Sequence, residues 1–100
     1  MGIWIGLAHV RSVRSPDLLE GALGAFVPVV GLSENQENFV SQVFSVLEPM
    51  GFYILEIKDI DKWENRISRF PVAEHIQNLV RSLGPDNPVL LSDFHSYEGE

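Results

Sequence analysis

Residues 25–58 read AFVPVVGLSENQENFVSQVFSVLEPMGFYILEIK, and their pattern decides the fold. Ala25 to Leu32 is a run of β-favouring residues, apolar on both faces, which reads as a strand. Its Pro28 has no N–H to give to a ladder, so an edge position or a bulge is expected there. Ser33 with Gln36 three residues on has the spacing of a capping box. Phe39, Val40, Val43, Phe44, Leu47 and Met50 then recur at helical spacing. Glu34 and Glu37 suit the positive end of that helix, and Pro49 with Gly51 stops it. Phe52 to Lys58 alternates as a second strand, with Tyr53, Leu55 and Ile57 on one side and Phe52, Ile54, Glu56 and Lys58 on the other. Strand, helix and strand in that order predict two parallel strands joined by a crossover.

On the N-terminal side, Ile3, Trp4, Ile5 and Leu7 predict a strand over residues 3–10. The segment Arg11–Gly21, polar and turn-rich around Ser15-Pro16-Asp17, reads as a flexible insertion. On the C-terminal side, Asp61 with Glu64 makes a second capping box, opening a short helix with Ile60, Trp63, Ile67 and Phe70 on one face. Pro71 suits the first turn of a further helix with the stripe Val72, Ile76, Leu79, Val80 and Leu83, closed by Gly84 and Pro85. After an Asp86-Asn87-Pro88 turn, Val89 to His95 completes the chain as a strand. The order β-β-α-β-α-α-β predicts one domain over residues 1–100, an α/β (α+β) two-layer sandwich. A ferredoxin-like or related split β-α-β arrangement is expected, with a small flavodoxin-like winding as the alternative.

Composition narrows the partners. Seven Lys/Arg against fourteen Asp/Glu give a net charge of −7. A nucleic-acid backbone or an anionic membrane surface calls for the opposite sign, so neither is expected as a partner. With no cysteine, disulfides, thiolate zinc ligands and thiol nucleophiles are excluded. The apolar run Ala22–Leu32 is broken by Gly24, Pro28 and Gly31 and falls short of the ~20 residues of a membrane span. The apolar start Gly2–Val10 lacks the preceding positive charge of a secretory signal. A cytoplasmic protein without a cofactor is the expectation.

One constellation has chemical potential. His9, Asp93, His95 and Tyr97 would meet if the first and last strands were neighbours, bringing two imidazoles and a carboxylate together for metal binding or acid–base work. A polar strand end near the terminus explains the same residues more economically. Gly21-Ala22-Leu23-Gly24 precedes a strand rather than opening a helix, so it is no phosphate loop. His75 reads as part of a solvated helix face and Trp63 as core. Lys62, Arg66 and Arg69 have Asp59, Asp61 and Glu64 nearby for pairing.

The expected function is therefore binding without catalysis: a small acidic accessory or regulatory module, one version being an inhibitor or immunity-type partner that is steered onto a basic enzyme. The alternative is a small-ligand- or metal-binding domain or enzyme, with a pocket at a dimer interface built on the four residues above. Strands apolar on both faces, beneath helices on one face only, would leave Trp4, Phe26, Val30, Phe52 and Ile54 as a self-association surface. A two-fold homodimer is the expected form.

Overall fold

A computed structural model describes residues 2–12 and 24–97 of the chain. β1 (Gly2–Ser12) and β2 (Gly24–Ser33) pair antiparallel, from Gly2↔Ser33 to Val10↔Ala25. β3 (Phe52–Lys62) lies on the other side of β1, also antiparallel. β2 and β3 consequently run parallel to each other, as their helical crossover predicts, but β1 is inserted between them. β4 (Val89–Leu91) and β5 (His95–Tyr97) both pair antiparallel with β2, opposite residues 29–31 and 24–26 respectively. The strand order β3-β1-β2-β4 and the three α-helices make a mixed α+β fold that departs from the ferredoxin-like arrangement, and its antiparallel neighbours depart from a flavodoxin-like winding. Of the expected insertion, Arg11 and Ser12 belong to β1, and residues 13–21 lie outside the described set.

Pro28 sits in a central strand rather than at an edge. Its carbonyl accepts the Ser92 N–H at 2.8 Å, which turns the peptide edge of Pro28 toward β4 and β5. On a β-strand the N–H and C=O of one residue point the same way. The donor that proline lacks is thus missing where the neighbouring strand is itself interrupted, between Leu91 and His95. One expected strand over residues 89–95 becomes two short ones for that reason.

Helices cover both faces of the sheet, not one. α1 (Gln36–Leu47) lays Phe39, Val43 and Leu47 on Ala8, Val10, Ala25, Val27, Val29, Phe52 and Ile54. On the opposite face, α3 (Glu74–Ser82) packs Ile76, with Leu79, Val80 and Leu83, against Ile5 and Val30, where Trp63 of α2 (Trp63–Arg69) joins them. Val29 and Val30 are adjacent in β2 and serve different cores. The two-layer expectation placed both helical stripes on one face; the two-sided strand instead has a helix for each side.

The caps also differ from their sequence signals. Asn35, not Ser33, caps α1, its Oδ1 accepting the Asn38 N–H at 2.9 Å. Ser33 ends β2 as a buried residue whose hydroxyl donates to Gln42 Oε1, while Gln42 Nε2 donates to the Leu32 carbonyl at 2.8 Å. α2 has no side-chain cap, because Asp61 accepts the Lys62 N–H at 2.9 Å and faces the arginines of α2. Pro71 lies in the link before α3, which begins at Glu74. No helix among the described residues is long and apolar enough to cross a membrane.

The register of α1 is set at one seat. A Cβ on Gly6 would stand 3.1 Å from Phe39 Cε2, and one on Gly31 would stand 3.1 Å from Phe39 Cδ1 and 3.0 Å from Gln42 Oε1. Trp4 stacks beside the same ring, centroids 6.5 Å apart. Overfilling such a seat costs about 1–3 kcal/mol and emptying it about 3–5 kcal/mol. In urea melts followed by circular dichroism, Gly31→Ala is expected to lose the smaller amount and Phe39→Ala the larger. Ile54→Asp, which buries a carboxylate beneath α1, is expected to unfold the chain rather than alter its association.

Candidate functional site

The sheet face away from α1 is covered by α3 only near Ile5 and Val30. Farther along the strands, the pairings Glu56↔His9, His9↔Phe26 and Phe26↔His95 place four side chains in one row across β3, β1, β2 and β5. Cross-strand partners share a face. The His9 and Phe26 rings stack with centroids 4.5 Å apart. Lys58 Nζ stands 5.0 Å from the Phe26 centroid and 3.9 Å from Glu56 Oε1.

This geometry revises the expected constellation. The first strand is not beside the last: β2 lies between them, and Phe26 separates His9 from His95 in the row. Asp93 is exposed in the link before β5. The Tyr97 backbone pairs with Gly24, and its side chain lies outside the described set. Among the described residues, no group of three or more His, Asp or Glu is placed to hold a metal ion.

The five residues of the expected self-association face are likewise distributed. Trp4, Phe52 and Ile54 pack in the α1 core, Val30 packs beneath α3, and Phe26 belongs to the row just described. The large apolar side chains left in solvent are different ones. Met50, Tyr53 and Leu55 are 44%, 57% and 41% exposed at the end of α1 and the start of β3. Ile67 and Phe70 are exposed on and just after α2. Among the described strands, none pairs with the outer edge of β3.

At its C-terminal end β3 is bulged and pinned. The register with β1 shifts between Ile5 and Leu7, and opposite that shift Asp59 adopts φ 56°, a left-handed conformation uncommon outside glycine. Its carbonyl accepts a hydrogen bond from Arg66 Nη2. Asp61 pairs with Arg69 Nη2 at 3.1 Å and Arg66 Nε at 4.0 Å, so two of the three basic residues expected to pair locally do so.

Two hollows flank this junction. One, of about 570 Å³, lies between the sheet and the α2–α3 link, with Leu7, Pro28, Phe70 and Ile76 as apolar walls and His75 and His95 at its rim. The other, of about 620 Å³, opens where β1 begins, between Trp4 and Trp63, with Glu34, Lys62 and Glu64 around it. Sequence reasoning placed Trp63 in the core; it is half-buried and serves both the core and this hollow. No family model, curated protein or solved structure matches the chain.

Cations are placed unevenly along the chain. From Gly24 to Ile57 there is no Lys, Arg or His, while Glu34, Glu37, Glu48 and Glu56 are all exposed. Lys58, Lys62, Arg66, Arg69 and Arg81 follow on the last turns of β3 and on α2 and α3. Phe26→Ala is expected to cost about 2 kcal/mol in thermal or urea unfolding, through lost apolar area and ring contacts. It should also remove the ring-current shift from the His9 ring protons, read by NMR.

Proposed function

We propose that the chain is a binding module without catalysis of its own, acting in the cytoplasm and taking a basic protein partner on the surface made by α1 and the start of β3. One observation carries this reading: the cation-free stretch Gly24–Ile57 carries four exposed glutamates together with exposed Met50, Tyr53 and Leu55. Protein interfaces combine exposed apolar side chains with charged ones. The exposed glutamates accelerate encounter with a cationic surface, and the exposed apolar side chains supply contact area. An inhibitor or immunity-type partner of a basic enzyme is the specific form this takes.

A second reading is supported by the outer edge of β3, with which no described strand pairs and which offers Tyr53 and Leu55 to a second copy of the chain. Glu56, Lys58 and the two register shifts along the β1–β3 pairing restrain such pairing beyond Leu55. Light scattering at tens of micromolar decides between a dimer and a chain of 11.2 kDa that remains single. Tyr53→Asp with Leu55→Asp would return a dimer to that mass without unfolding it.

The test of the main reading is association with a co-purifying basic protein in fixed stoichiometry. Binding is expected to weaken steeply once ionic strength exceeds the physiological value, where the Debye length is about 8 Å. It should be lost in Glu34→Gln/Glu37→Gln/Glu48→Gln. Association indifferent to salt, or retained in full by that variant, overturns the proposal.

A further inference from the structure

The cleft where β1 begins carries a more specific assignment. Its walls are the only two tryptophans of the chain, brought from β1 and α2, and its rim is Glu34 from the β2–α1 turn and Glu64 from the first turn of α2. Lys62, the register partner of Trp4, places its ammonium 5.9 Å from the Trp4 ring centroid. Aromatic faces with nearby carboxylates attract organic cations, because the ring quadrupole is negative over its face. The position of Lys62 shows that an ammonium is accommodated there, and among the described residues no carboxylate forms an ion pair with it. Glu34, Glu64 and Lys62 sum to one negative charge, which leaves the cleft short of one cation.

We propose that this cleft receives the cationic head of a lysine or arginine side chain on the basic partner, held over Trp4 between Glu34 and Glu64 in place of the Lys62 ammonium. The assignment rests on the binding-module reading above and names one contact of it. Displacing Lys62 is inexpensive, since its side chain is exposed and its ammonium moves into water.

Both tryptophans line the cleft as well as packing in the cores, so tryptophan emission is read as the difference between two peptides. The probe is a blocked tripeptide with a central arginine, compared with the same peptide carrying glutamine. A saturable emission change is expected for the arginine peptide, with affinity about tenfold above the glutamine peptide. Glu34→Gln/Glu64→Gln should remove that difference while leaving the melting temperature unchanged. Lys62→Met should tighten arginine binding about threefold by removing the internal competitor, whereas Lys58→Met, the same charge change outside the cleft, should not.

Equal binding of the two peptides, or a Lys62→Met response matched by Lys58→Met, overturns the assignment. Should the arginine peptide fail while a basic protein still binds in a salt-sensitive way, only this contact falls. Salt-insensitive association of the whole partner would instead remove the reading on which it rests.

Discussion

Where a Cβ on Gly6 or Gly31 would stand, the Phe39 ring is 3.1 Å away, so any side chain at those positions would force the ring to give way by a few tenths of an ångström. That close approach joins three elements at one point. β1 and β2 provide the glycines, Trp4 flanks the ring, and Gln42, one turn along the helix, reaches the end of β2 through Ser33 and the Leu32 carbonyl. Because interiors are as dense as organic crystals, a helix docked this way cannot slide along the sheet without opening a void. The placement of Val43 and Leu47 over Ala25, Val27 and Val29 follows from it, and so does the exposure of Glu37 on the outer side of α1.

Much of this was legible in the sequence. The strand–helix–strand run 25–58 shows its elements through alternation and helical spacing, and the parallel sense of β2 and β3 follows from the crossover between them. What the pattern leaves open is which strand lies between. A β1–β2 hairpin and a β2–α1–β3 crossover are each compatible with several strand orders, and only the packing of β1 against both strands selects one. The two-sided apolar character of β2 was visible too, but its meaning was not. It signals either a second core or an external contact, and a second core is what Ile76, Leu79 and Val80 form on Ile5 and Val30.

The functional surfaces were harder to foresee, for a reason of register. His9 and His95 do share a row, but their separation by Phe26 depends on a strand order that spacing cannot supply. Trp4 and Trp63 are far apart in sequence and pack in different cores, and both line one cleft only because β1 begins where β3 ends. Net charge is spread almost evenly over the two halves of the chain, so the cation-free interval from Gly24 to Ile57 gained meaning only once Glu34, Glu37 and Glu48 were placed in solvent along α1 and at its ends.

Pro28 leaves the outer edge of β2 held by two separate three-residue ladders instead of one continuous seam. Strand pairing is cooperative along a ladder, and the missing donor breaks that cooperativity at its midpoint. The terminal ladder of β5 can therefore open as a local unit, with a free energy of its own well below that of global unfolding, while β4 stays zipped under Pro88 and Ser92. Such opening would bare one flank of Phe26 and its stacked histidine and leave both cores intact. The proline thus divides the outer seam of β2 into two ladders that need not open together.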